Sequence, residues 1–173
     1  MPHALIIMGV SGCGKTTVGQ ALAEETGWTF LEGDTLHSAE NIAKMRAGKP
    51  LDDADRRPWL DRIAEWITHR ANDGQNCIVA CSALRRVYRD RLRAAEPGML
   101  FAYLKVPRET LLRRMQQREH FMPVSLLDSQ LATLEPPATS ERSLTVTATD
   151  GIRDTTAQIL NWLDDRMHET NTS

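Results

Sequence analysis

GVSGCGKT, residues 9–16, sets three glycines ahead of a lysine and a threonine. Gly9, Gly14, Lys15 and Thr16 fill the spacing G-x-x-x-x-G-K-[ST] in full. The flanks agree with it. Residues 4–8, ALIIM, are a short apolar run of the kind that forms a buried parallel strand. Residues 15–26 read as a helix with Val18, Ala21 and Leu22 on one face. Between a strand and a helix, glycines let the backbone curl so that successive N–H groups point at phosphate oxygens. The helix N-terminus adds its partial positive charge. Lys15 is placed to reach the β- and γ-phosphates, and the Thr16 hydroxyl to ligate Mg²⁺. The expected cradle for a nucleoside triphosphate is Gly9, Val10, Ser11, Gly12, Cys13, Gly14, Lys15, Thr16 and Thr17. No Asn-Lys-x-Asp segment for reading guanine is present, which favours ATP.

Working outward, strand and helix patterns alternate along all 173 residues. Strands are expected at 28–31, 77–81, 100–106 and 143–148. Helices are expected at 38–47, with Ser38 as N-cap and Gly48 as stop, and at 84–95, 108–118 and 152–167. A short helix is expected near 124–134. Pro58 is expected to open a helix, where its missing N–H costs nothing, with Trp59, Ile63, Trp66 and Ile67 as its apolar stripe. The pattern is α/β with a five-stranded parallel sheet, in one domain over 1–173. A net charge of −2 argues against nucleic acid or an anionic membrane as partner. No apolar run approaches the ~20 residues that span a bilayer, and residues 1–8 lack a basic region ahead of their apolar run. The three cysteines, Cys13, Cys77 and Cys81, have no metal-ligand spacing and suit a reducing cytoplasm.

A phosphate loop does not name the acceptor. Water would make the protein an ATPase or a switch, and a small hydroxylated molecule would make it a kinase. The second strand runs into Glu32-Gly33-Asp34, with His37 close behind. Residues just past the C-terminal ends of parallel strands face the ligand crevice. One of the two carboxylates there suits Mg²⁺ through water, and the other suits the proton of an attacking hydroxyl. The third strand ends in Cys81-Ser82 where a standard Walker B segment has an acidic residue. The Mg²⁺ carboxylate therefore falls to Glu32 or Asp34, and Cys81 is expected to be packing. Arg85, Arg86 and Arg89 follow this strand. Arg108, Arg113, Arg114 and Arg118 precede a segment with three prolines. Residues 114 and 118 are i, i+4 neighbours. An arginine carried by a lid onto the transferring phosphoryl group would offset its charge, and Arg118 is the candidate, with Arg114 second.

The chain resembles the gluconokinase family. The stretches that carry the resemblance are MGVSGCGKTTVG (8–19), EGDTLHSAENIAKMRAGKPLDDADRRPWL (32–60), CSALRRVYRDRLR (81–93) and HFMPVSLLDSQLATLEPP (120–137). The 32–60 stretch is the most specific, because a generic kinase of this class has no reason to carry Gly-Asp-x-x-His followed by Pro-Leu-x-Asp-x-Asp-Arg-x-Pro-Trp-Leu. The resemblance implies a three-layer α/β/α fold related to shikimate and nucleoside monophosphate kinases, with a helical lid over 119–138. It implies the reaction of Mg-ATP with D-gluconate to give ADP and 6-phospho-D-gluconate, in a cytoplasmic homodimer. It implies Asp34 as general base at the 6-hydroxyl. A polyol with one carboxylate needs hydrogen-bonding groups for its hydroxyls, and Asp34, His37 and Ser82 are the candidates. It also needs an arginine for its anionic end, which leaves Arg56, Arg85 or Arg89. The family usually has aspartate at the position of Glu32 and serine at that of Cys13. Its lid usually reads Arg-x-Gly-His-Phe, one residue longer than the stretch from Arg118 to Phe121 here. The related folds direct attention to 149–151 for contacts with adenine.

Overall fold

The computed structural model describes residues 2–117, 123–148, 151–170 and 172. Five parallel strands form one sheet: β1 (Ala4–Met8), β2 (Thr29–Glu32), β3 (Cys77–Ala80), β4 (Leu100–Lys105) and β5 (Ser143–Thr147). Their order is β2-β3-β1-β4-β5. Each strand except the edge pair is an almost unbroken apolar run because both faces are covered. Ile6, Ile7, Ile78, Val79, Phe101 and Ala102 are fully buried. Among the described residues there are seven helices: α1 (Lys15–Thr26), α2 (Ala39–Arg46), α3 (Asp53–Asn72), α4 (Arg86–Ala95), α5 (Arg108–Gln116), α6 (Val124–Thr133) and α7 (Ile152–Thr170). α1 packs with α7, and α3 with α4, giving three layers around a core that runs from Ala4 to Leu163. No helix among the described residues is long and apolar enough to cross a membrane.

The chain leaves β1 for the sheet edge at β2, returns to β3, then crosses to β4 on the other side of β1. The direction of winding reverses between β1 and β3, and in open parallel sheets ligands bind outside the strand ends at that reversal. The loop 9–14 follows β1 and Ser82 follows β3. They are joined there, Gly9 N–H donating to the Ser82 carbonyl at 3.2 Å.

Ser38 does cap α2, its hydroxyl accepting from Asn41 N–H. The helix expected to open at Pro58 opens at Asp53 instead. Asp52 is the N-cap, and its side chain and that of Asp55 accept from each other's backbone N–H. This reciprocal cap satisfies two otherwise orphaned donors, and it outweighs a proline in the second turn, where only the bond to the Ala54 carbonyl is lost. Trp59, Leu60, Ile63 and Ile67 form the buried face of α3, with Trp66 at its edge.

Candidate active site

The phosphate loop is built as its glycines require. Gly9, Gly12 and Gly14 all have positive φ, and Gly14 at φ 98° is the N-cap of α1, a conformation that costs other residues a steric clash. Lys15 Nζ donates to the Gly9 and Val10 carbonyls, each at 3.0 Å, so the ammonium sits over the loop. Cys13 is 2% exposed, which removes the sensitivity to thiol reagents that an exposed thiol here would bring. Cys81 is fully buried, as expected, and burial pushes its thiol up to about 12.

Beside the loop, the Thr16 hydroxyl donates to Glu32 Oε2. Glu32 ends β2, and its other oxygen accepts from Asp34 N–H at the start of a 3-10 turn, Gly33–Leu36. Gly33 between them admits no side chain, because a Cβ would lie 2.4 Å from the Ala80 carbonyl oxygen. Hydroxyl and carboxylate oxygens brought together are the hard donors that Mg²⁺ takes. Among the described residues no cluster of three or more His, Cys, Asp or Glu could hold a metal alone.

Asp34 and His37 flank a cleft that also meets Lys15, Arg56, Trp59 and Ser82. The Asp34 side chain is 71% exposed and lies 3.9 Å from His37 Nε2. The His37 ring stacks on Trp59, centroids 4.2 Å apart, and Trp59 Nε1 donates to the Gly33 carbonyl. Asn41 Nδ2 donates to the Asp55 carbonyl at 2.9 Å, which fixes the amide's orientation, and approaches His37 Nδ1 at 3.3 Å. Nδ1 must therefore accept, and the ring proton is on Nε2, on the Asp34 side. Burial first, then the charges of Arg56 and Arg62, hold the His37 pKa down to about 4. His37 is neutral throughout the neutral range. Since the folded state resists its protonation, its contribution to stability is full above about pH 6.5 and is lost as the pH falls through about 4.

A second cavity opens on the other side of the loop, lined by Gly12, Gly14, Thr17, Arg114, Gly151 and Thr155, among others. Arg114 donates to the Gly12 carbonyl at 3.0 Å and to the Ala148 carbonyl at 3.3 Å. It thus ties the phosphate loop to the end of β5.

A family model described as an AAA domain matches residues 5–137. A gluconokinase from Gluconobacter oxydans (strain 621H) is 48% identical over 141 residues, covering 81% of this chain and 79% of that one. The chain belongs to the gluconokinase family. The crystal structure of a gluconokinase from Sinorhizobium meliloti 1021 is 42% identical, with a TM-score of 0.90 over 99% of this chain and 97% of that one. A sugar kinase from Janibacter sp. HTCC2649, in an unliganded crystal structure, is 47% identical, with a TM-score of 0.91 over 95% of each chain.

Of the arginines expected to meet an anionic end, only Arg56 lines the cleft beside Asp34 and His37. Arg85 lies behind it, paired with Asp53 and 3.8 Å from Glu135. Arg89 turns away from the cleft. Its side chain is 1% exposed; Nε and Nη2 donate to Glu141 at 2.7 and 3.2 Å, and Nη1 to the Ala83 carbonyl at 2.7 Å. It lies on the face of α4 that packs inward, a choice the spacing of Arg85, Arg86 and Arg89 does not reveal. Arg118 and residues 149 and 150 lie outside the described residues.

Burial pushes the Glu141 carboxyl up, but hydrogen bonds from Arg89, Ala138 N–H and Arg93 outweigh it and hold the pKa down to about 2. The pair's stabilisation is therefore full above about pH 4.5 and lost as the pH falls through about 2. Glu141→Gln leaves Arg89 buried without its counter-charge and is expected to cost about 3–5 kcal/mol. The check is urea unfolding, with a lowered midpoint at unchanged slope. Pairing it with Arg89→Met is expected to restore most of the loss.

The cleft also holds residues that the sequence reading did not single out. α6 contributes Leu126, Ser129 and Gln130. Gln130 Oε1 accepts from Ser11 N–H at 2.8 Å, and its Nε2 donates to the Ser11 hydroxyl at 3.2 Å. The expected lid thus presents a helix that grips the phosphate loop from 119 positions away, which no local pattern signals.

Proposed function

We propose that the protein transfers the γ-phosphoryl group of ATP to the 6-hydroxyl of D-gluconate, forming ADP and 6-phospho-D-gluconate. The observation that carries this reading is Arg56, which lines the cleft with Asp34, His37 and Lys15 yet forms no ion pair among the described residues. A guanidinium beside an exposed carboxylate and a neutral histidine matches a polyol with one anionic end. Arg56 takes the gluconate carboxylate, through the bidentate geometry that arginine offers. His37 Nε2–H and the Ser82 hydroxyl bind acceptor hydroxyls. Asp34, open to the cleft, takes the proton of the attacking 6-hydroxyl. Lys15 and the loop N–H groups offset charge on the transferring group, the larger part of catalysis in phosphoryl transfer. Thr16 and Glu32 would hold Mg²⁺, which when bound neutralises charge on the β- and γ-phosphates. Arg118 is assigned to the lid, closing on the phosphates. Arg85 is a second cation, reached only by exchange of its partners Asp53 and Glu135. One domain, a homodimer and a cytoplasmic location complete the reading and rest on family membership. Sedimentation of the purified chain tests the dimer.

The deciding experiment measures ADP release from Mg-ATP with and without D-gluconate and identifies the phosphorylated product. Gluconate-dependent release with 6-phosphogluconate formed is the expected result. Release that ignores gluconate, or faster turnover on another sugar acid, overturns the acceptor. His37→Ala is expected to raise the gluconate KM about tenfold and leave the ATP KM unchanged, since one hydroxyl loses its donor. An unchanged gluconate KM would return His37 to packing against Trp59.

A further inference from the structure

Arg56 is held from behind the cleft. Its Nη1 donates to the Tyr88 hydroxyl at 3.0 Å, and its Cζ lies 5.4 Å from the centre of the Tyr88 ring. Tyr88, on α4, is 4% exposed and belongs to the core. Its own hydroxyl hydrogen goes to Asp53 Oδ1 at the start of α3. A carboxylate only accepts, so the direction of the chain is fixed: the phenol donates to Asp53 and its lone pairs are left for Arg56. Hydrogen bonds from Tyr88 and then Arg85 hold the Asp53 carboxyl below its ordinary range, so it is an anion at neutral pH. Arg85 closes the arrangement, bonded to the other Asp53 oxygen and stacked 5.8 Å from the same tyrosine ring. Two guanidiniums thus share one ring, and Arg85 is the one that pairs with the carboxylate. Only Arg56 also lines the substrate cleft.

We propose that Tyr88 is a positioning residue for the acceptor's carboxylate: its hydroxyl, oriented by Asp53, holds the Arg56 guanidinium in the place where that carboxylate binds. The proposal rests on the reading of Arg56 given above. An arginine already fixed in one rotamer does not lose that freedom when the substrate arrives, so affinity for the anionic end is gained without a new contact to substrate. Bidentate recognition also requires the plane of the guanidinium to be set, and a bond to one Nη sets it. Tyr88 does not line the cleft with Asp34 and His37, and its hydroxyl bonds go to Arg56 and Asp53. Its effect therefore falls on gluconate binding and not on the chemical step.

The test uses the full chain and compares Tyr88→Phe, Arg56→Ala and the double variant, with steady-state kinetics for gluconate and for ATP. Phenylalanine keeps the ring and both stacked guanidiniums and removes one oxygen. Tyr88→Phe is expected to raise the gluconate KM about tenfold, the scale of a hydrogen bond to a charged group. kcat and the ATP KM are expected to stay within about twofold. In the double variant Tyr88 has no Arg56 left to act through, so its kcat/KM for gluconate is expected to match that of Arg56→Ala within about twofold. Asp53→Asn leaves the ring untouched and removes the anion that orients it, and is expected to raise the same KM by about three- to tenfold.

If Arg56→Ala raises the gluconate KM and Tyr88→Phe does not, Tyr88 is packing and the proposal falls alone. Losses that multiply in the double variant overturn it as well, because the two residues then act independently. If Arg56→Ala itself leaves the gluconate KM unchanged, the carboxylate partner is another residue and both readings fall.

Discussion

Lys15→Ala is expected to lower kcat/KM by about a thousandfold or more, with the loss falling on kcat at saturating gluconate. The ammonium lies over the loop, 3.0 Å from two of its carbonyls, so it is already in place when phosphate arrives and little reorganisation is needed. Charge that develops between the β- and γ-phosphates has no other lysine in the loop to meet it. Removing the ammonium also takes a donor from the Gly9 and Val10 carbonyls, of which Val10 keeps the Cys13 N–H at 3.3 Å. Lys15→Arg keeps the charge on a longer, planar group and is expected to recover only part of the loss. The measurement is ADP release under steady-state conditions, with the thermal midpoint as a folding control. A rate near that of the unsubstituted protein would remove Lys15 from catalysis.

Asp34→Asn is expected to cut kcat by about a hundred- to a thousandfold and to leave the ATP KM unchanged. The carboxylate is exposed to the cleft and, among the described residues, is not engaged in an ion pair with a lysine or arginine, so it is available to a substrate hydroxyl. Asparagine keeps the shape and removes the basicity. The split between parameters decides the role. A fall in kcat marks proton transfer, whereas a rise confined to the gluconate KM marks hydroxyl recognition. Histidine does not compete for the base's role: His37 Nδ1 is occupied by Asn41 and its Nε2 carries the proton.

The phosphate loop and the sheet were legible because their signals are local. ALIIM, apolar at every position, suits a strand buried on both faces of a parallel sheet, and glycines at 9, 12 and 14 suit the positive φ that the loop adopts. Ser38 capped its helix as expected for the same reason: a hydroxyl one residue ahead of a helix finds its N–H partner within three positions. Pro58 misled because proline at the first helical position and proline in the second turn look alike in sequence. The Asp52–Asp55 cap that decides between them is a pair of aspartates rather than the more familiar serine and glutamate.

By itself the sequence determined a phosphate loop between a buried strand and a helix, the α/β alternation, and the family, since 32–60 carries residues that packing alone does not demand. Which arginine faces the acceptor was a tertiary decision. Arg85 and Arg89 lie one helical turn apart in the sequence, yet α4 turns Arg89 inward to Glu141, across 52 positions, and sends Arg85 to Asp53 across 32. Arg56, on another helix, is left for the cleft. Charges choose partners through space, and at such separations the partner is known only once α3, α4 and the segment ahead of β5 have packed together.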